Sequence, residues 1–330
     1  MALPVTAAAI SQPSGEPDMQ TSYGPGYMRC FILAIVLGLA AAAAQAREVV
    51  HALGTAHVPD APQRIVVLEF SFLDALAAAG LKPVGVADDN KPERIQPVLR
   101  DLTGDSWTSV GTRKTPSLEV IAALQPDLII ADTARHGTIR STLEQIAPVI
   151  FYDSLTGGYE DVLSQAARIG EAVGRGEEMA AFQAGHAVRM SAIREQIAAA
   201  ANGRPAQFGV VSSRGLWLHS PQSYAGTLLD VLGFDAAGPE TEGSSYGALY
   251  QTVTLEQLSE TDPAILILGK PAKGDTIDQA WASEALWQQL EAVRNGNVFD
   301  VSSDLWSRSR GMLTAEQSAA DLLAIAKSLQ

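Results

Sequence analysis

Cysteine is all but missing from this chain. The one cysteine in 330 residues, Cys30, falls close to the N-terminus, inside a segment read below as a removable leader. Without that segment there is no disulfide, no thiolate metal site and no cysteine nucleophile. Histidine is sparse as well. His51, His57, His136, His186 and His219 are scattered rather than grouped at ligand spacing, so no zinc site is legible. Basic charge is in deficit: the formal net charge is −14. That argues against a nucleic-acid partner, which requires a basic face. It leaves an anionic small ligand open, because a pocket can be basic on an acidic protein. Gly-x-Gly-x-x-Gly, a Walker loop and His-Glu-x-x-His are all absent, so the common nucleotide and metalloprotease signatures fail. Neither an enzyme nor a resident cofactor is predicted.

What is present begins with a targeting signal. Met28-Arg29 precedes the apolar run Phe31 to Ala44, and Ala44-Gln45-Ala46 is a small-x-small cleavage site. A positive start, a short apolar core and such a site describe a secretory signal peptide with cleavage after Ala46. The run is short for a membrane span, which takes about 20 residues. Residues 1–27 read as an over-extended start ahead of Met28, with a disordered leader as the alternative. The mature protein is expected to be soluble, unanchored and periplasmic, with a fold confined to 47–330.

Hydrophobic residues at 47% and charged residues at 18% suit a packed chain with room for two lobes. From Arg64 onward, strand and helix patterns alternate. Strands are predicted at 64–69, 83–87, 127–131 and 149–152, with helices at 71–79 (capped by Ser71), 118–124 and 139–146. That alternation predicts an α/β lobe over 47–158 with a mostly parallel sheet. Residues 159–202 carry almost no strand signal and predict a linking helix, interrupted near Gly174 and Gly176, that acts as a strut. A second α/β lobe follows over 203–330: strands 207–212, 264–268 and 298–301; helices 225–232, 255–258, 281–287, 290–294 and 315–329. One echo relates the two lobes. Ser117-Leu118-Glu119 precedes Pro126 and an apolar run, and Thr254-Leu255-Glu256 precedes Pro263 and another, 137 positions later. Each is a hydroxyl-capped helix leading to a proline-initiated buried strand.

Candidate binding residues are arginines in loops that follow strands: Arg113, Arg135, Arg214, Arg308 and Arg310. Ligands of open α/β sheets bind beyond the carboxyl ends of strands, and arginine grips carboxylates in a bidentate fork. Loops from both lobes are predicted to face one another across a cleft, with Trp217, Tyr246, Tyr250 and Trp306 as apolar walls.

Several stretches carry a resemblance. They include Pro62-Gln-Arg-Ile-Val-Val-Leu-Glu69, Gly85-Val-Ala-Asp-Asp-Asn90, Ser109-Val-Gly-Thr-Arg113, Pro126-Asp-Leu-Ile-Ile-Ala-Asp132 and Trp306-Ser-Arg-Ser-Arg-Gly311. Through them, nearly all of 47–330 resembles the siderophore and cobalamin class of periplasmic solute-binding proteins, and within it the ferric dicitrate-binding group. The resemblance implies two lobes joined by one long helix, with the ligand between them. It implies iron(III) chelated by citrate as ligand, with no direct protein–metal bond; another siderophore, haem or cobalamin is the alternative, and an enzyme that processes the chelate on the same scaffold is the rival reading. It also implies a monomer that docks on an ABC importer's permease and, through it, serves the ATPase. The docking carboxylates would be Asp74 on the first lobe and Asp230 on the second.

Overall fold

A computed structural model describes residues 46–238 and 245–329. The signal-peptide reading of 28–45 therefore lies outside the described residues. Among the described residues, no helix is long and apolar enough to cross a membrane.

The chain enters through an antiparallel hairpin, β1 (Ala46–His51) and β2 (Gly54–Pro59), which the sequence pattern did not reveal. The first lobe is a parallel sheet of β3 (Ile65–Val67), β4 (Gly85–Val86), β5 (Thr108–Ser109), β6 (Leu128–Asp132) and β7 (Val149–Tyr152). Its order is β5-β4-β3-β6-β7, so the chain reverses direction of travel between β3 and β6. β6 and β7 are buried throughout, as a sheet covered on both faces requires.

The second sheet holds β8 (Pro205–Ser212), β9 (Gly215–His219), β10 (Asp235–Ala236), β11 (Tyr250–Val253), β12 (Ile265–Lys270) and β13 (Val298–Ser302). Its order is β11-β9-β8-β12-β13, with β10 beside the start of β8. β8, β10, β12 and β13 run parallel; β9 turns back antiparallel to β8, and β11 is antiparallel to β9. The prediction of mostly parallel sheets holds, with β9 and its two antiparallel pairings as an addition. The echo between the lobes is structural. Ser117 and Thr254 each accept a hydrogen bond from the third residue of their helix. Gln125 and Asp262, again 137 apart, both take the left-handed conformation (φ 45° and 35°) that ends those helices.

The linking segment is two helices, Tyr159–Ala172 and Gly176–Ala201, broken where foreseen. The second has 26 residues, about 39 Å at 1.5 Å per residue. It is not alone in joining the lobes. The C-terminal helix Met312–Ser328 places Met312 and Leu313 in the core of the first lobe, and Ala315, Ala319, Leu322 and Ile325 in that of the second.

The first and last helices both begin earlier than expected, and one residue explains the larger of the two shifts. The first helix is Phe70–Ala78, opened by Glu69 rather than Ser71. Asp74, in its middle, is 1% exposed. Its carboxylate accepts from the backbone N–H of Met312 (2.8 Å), Leu313 (3.2 Å) and Thr314 (3.0 Å), and from the Thr314 hydroxyl (3.1 Å). Asp74 thus caps a helix 238 residues away, which is why the last helix begins three residues before the predicted 315. Gly311 is required beside it, since a Cβ there would overlap the Asp74 carboxyl. The expectation of Asp74 as a permease-docking carboxylate is therefore corrected: the group is buried in the seam between the lobes. Asp230 is exposed near the end of the helix Tyr224–Val231, where it accepts from Ala236 N–H at 2.8 Å.

Burial lifts the Asp74 carboxyl to about 6, against the lowering effect of its four hydrogen bonds. A raised acid binds its proton more tightly in the folded state, so stability is greatest below the unfolded value near 4 and falls as pH rises through 6. Between pH 4 and 7 the native chain is expected to lose stability relative to Asp74→Asn, on the order of 1–3 kcal/mol in urea titrations. Asp74→Ala is expected to cost about 2–3 kcal/mol at pH 5, because three buried N–H groups lose their acceptor. An unchanged midpoint would mean that the cap carries no net stability.

Candidate ligand-binding cleft

The first lobe presents its functional side chains at the carboxyl ends of β3 and β6, the reversal point of the sheet, where an open α/β fold forms a crevice. Glu69 follows β3 and is 2% exposed. Its Oε1 accepts from Arg135 Nη1 at 2.7 Å, and its Oε2 lies 3.5 Å from Arg113 Nη1. Burial pushes the Glu69 carboxyl upward even against these two guanidiniums. Arg135 stands on a short turn of helix, Thr133–His136, opened by Asp132.

Arg113 is held on every side. Its backbone N–H and side chain reach Asp89 at 2.9–3.3 Å, and its guanidinium carbon sits 4.1 Å from the centre of the Phe70 ring. Behind it, buried His136 accepts from Asp132 N–H through Nδ1 (2.9 Å), so its proton is on Nε2, which donates to the Arg113 carbonyl at 2.7 Å. Asp89 takes a left-handed backbone, φ 62°, followed by Asn90 at 53°. Such strain persists where the surroundings over-determine it. Burial opposes ionisation of Asp89, but Arg113 and then Arg94 outweigh it and hold the carboxyl down to about 2.

The second lobe contributes the turn Asp304–Arg308 after β13. Asp304 Oδ1 is 2.9 Å from Arg308 Nε, without the alignment of a hydrogen bond. Burial, then the neighbouring charges of Arg94 and Arg113, lowers the Arg308 guanidinium. Arg310 is 8% exposed; its Nη1 donates to the Leu155 carbonyl (2.9 Å) and contacts Tyr250 Oη (3.2 Å). Tyr250 Oη donates to the same carbonyl at 3.1 Å. His219, against the Tyr250 ring, is driven to about 3 by burial and then by Arg310, so it is neutral.

Between these groups lies a cleft of about 770 Å³. Among the described residues, Arg94, Arg113, Lys114, Arg135 and Arg308 line it, against Asp89 as the one lining carboxylate, with Leu155 and the half-exposed Tyr246 as apolar wall. Counting Glu69 and Asp304 behind them, five cations face three carboxylates, so the cleft is cationic in a chain of net charge −14.

Three of the five predicted arginines, Arg113, Arg135 and Arg308, meet there. Arg310 is one layer deeper, braced on Leu155 together with Tyr250. Arg214 is exposed at the tip of the β8–β9 hairpin, and Trp217 is half-buried in β9; neither lines the cleft. Trp306 corrects an expectation: it is 1% exposed in the core of the second lobe, and its Nε1 donates to Asp321 at 2.9 Å, so it cannot wall a cleft. Sequence reasoning missed Arg94 and Lys114. Lys114 adjoins Arg113 and could have been found by the same logic. Arg94 sits in a short helical turn, Pro92–Arg94, that follows no strand directly.

Comparison with known proteins follows the same lines. The family model Peripla_BP_2, periplasmic binding protein, matches residues 65–305. The Fe(3+) dicitrate-binding periplasmic protein FecB of Escherichia coli (strain K12) is 41% identical over 272 residues, covering 82% of this chain and 87% of that one. The Fe(3+)-citrate-binding protein YfmC of Bacillus subtilis (strain 168) is 39% identical over 272 residues, with 82% of each covered. The crystal structure of Staphylococcus aureus SirA complexed with staphyloferrin B superposes with a TM-score of 0.73 at 22% identity, over 85% of this chain and 98% of that one. With the match running from β3 through the turn that bears Arg308's neighbour Asp304, and so through both sheets, the chain belongs to the Peripla_BP_2 family of periplasmic binding proteins.

Proposed function

We propose that this protein is the periplasmic solute-binding component of an ABC importer, and that its cleft takes an iron(III)–carboxylate chelate, ferric dicitrate. The observation that carries the reading is the concentration of Arg94, Arg113, Lys114, Arg135 and Arg308 in one cleft of a strongly acidic protein. Two relatives near 40% identity that are named for ferric citrate support it. Citrate supplies the hard oxygen ligands that iron(III) requires, and the protein binds the outward carboxylates. The chain acts as a monomer and delivers the chelate to a permease coupled to an ATPase; exposed Asp230 serves as the docking carboxylate of the second lobe.

The arginines divide the work. Arg113, pinned between Glu69 and Asp89, sets the geometry. Arg135 and Arg308, with 22% and 39% of their side chains exposed, reach the ligand. Charge-assisted hydrogen bonds contribute about 1.5–3 kcal/mol each, enough for micromolar affinity from a few contacts after ordering costs.

None of the tryptophans lines the cleft, so titration calorimetry is the suitable test. Ferric citrate is expected to bind saturably at micromolar or lower concentration, and a ferric hydroxamate at least about tenfold more weakly. Binding of the hydroxamate alone would keep the transport role and overturn the ligand. Arg135→Ala and Arg308→Ala should each weaken ferric citrate binding by about ten- to a hundredfold; affinities equal to the native chain would remove them from the site. Arg113→Ala should instead lower stability, by about 3 kcal/mol in urea titrations, because it leaves buried Glu69 with Arg135 alone and Asp89 with Arg94 alone.

A further inference from the structure

Seven charged groups alternate in sign along one connected path. Arg135 meets Glu69 at 2.7 Å, Glu69 meets Arg113 at 3.5 Å, Arg113 meets Asp89 at 2.9 Å, and Asp89 meets Arg94 at 3.0 Å. All five belong to the first lobe. The next link changes lobe: Arg94 Nε stands 3.8 Å from Asp304 Oδ1, the oxygen that lies 2.9 Å from Arg308 Nε.

The last acid is the weak joint. Glu69 and Asp89 accept well-formed hydrogen bonds from arginines and are 2% and 12% exposed. Asp304 is 20% exposed, and its contact with Arg94 is at the limit of an ion pair. Its approach to Arg308 leaves that buried Nε–H without a hydrogen bond. The turn itself is secured by the main-chain carbonyl of Asp304, which accepts from Ser309 N–H and Oγ at 3.1 and 2.9 Å, so its carboxylate is free to yield.

We infer that Asp304 determines specificity: it stands in the position of a ligand carboxylate between Arg94 and Arg308, and a ligand carboxylate must displace it to reach those two arginines. The inference rests on the anionic-chelate reading above. A monocarboxylate exchanges one carboxylate for another and gains nothing. A polycarboxylate chelate gains through its further carboxylates, which reach Arg135 and Lys114 across the cleft. Asp304 therefore filters out small monoacids at some cost in affinity for the chelate. Arg308 is a binding residue in this scheme, and Asp304 acts through it.

The test is Asp304→Asn in the full chain, with Asp105→Asn as control, since Asp105 pairs with Arg100 on the exposed surface and its loss removes the same charge remotely. Ferric citrate, a ferric hydroxamate without net charge, and acetate as competitor are titrated at one ionic strength. Asp304→Asn is expected to tighten ferric citrate about three- to tenfold and to make acetate about tenfold more effective as a competitor, leaving the hydroxamate unchanged. Asp105→Asn should change each less than about twofold. If Asp304→Asn leaves ferric citrate and acetate unaltered, or weakens ferric citrate, the filter is overturned while the ligand reading stands. If the native chain binds no ferric citrate, the ligand reading fails and takes the filter with it.

Discussion

The Asp74 carboxylate, accepting the first three free N–H groups of the C-terminal helix, fixes how the two lobes sit against each other. Everything in the cleft depends on that registration. Arg113 and Arg135 are placed by the first sheet, and Arg308 and Arg310 by the chain that leads into the capped helix. Gly311 lies between those arginines and the cap, and its missing side chain is what allows Asp74 to approach. A long connecting helix alone would leave the lobes free to pivot about one line. A second helix that shares both cores, pinned at its first turn, removes most of that freedom.

The cleft follows a simple electrostatic rule. Buried arginines are affordable only when acids and carbonyls satisfy them, and here Glu69, Asp89 and the Leu155 carbonyl do so. The result is a scaffold of fixed guanidiniums that needs little reorganisation on binding. Neutral His136 contributes from beneath, tying the end of the Arg113 loop to the helical turn that carries Arg135. Two cationic loops thereby move as one unit.

Much of this was legible in the sequence, and the reasons differ by element. β7 was predicted at its observed bounds because a four-residue apolar run between Pro148 and Asp153 admits no other reading. The paired helix–strand units were found because caps and prolines are local signals. β9 and β11 were not found: Gly215–His219 and Tyr250–Val253 are short, and their pairing is set by tertiary contact. Strand-end logic located Arg113, Arg135 and Arg308, but could not distinguish a lining arginine from a buried one such as Arg310. Trp306 and Asp74 were misplaced for a related reason. An aromatic beside arginines suggests exposure for function, and the resemblance implied a docking role for Asp74, whereas Trp306 donates to Asp321 and Asp74 caps the C-terminal helix, partners remote in sequence or visible only in three dimensions.

A cationic cleft set in an acidic body separates capture from approach. Outside the cleft, within a screening length of the surface, roughly 8 Å at physiological salt, an incoming anion meets the field of the whole chain, which repels it. Within the cleft it meets five cations at close range. Added salt therefore acts in opposite senses on the two stages, easing the encounter while loosening the grip. The protein holds an anion by local arrangement while its surface as a whole keeps anions at a distance.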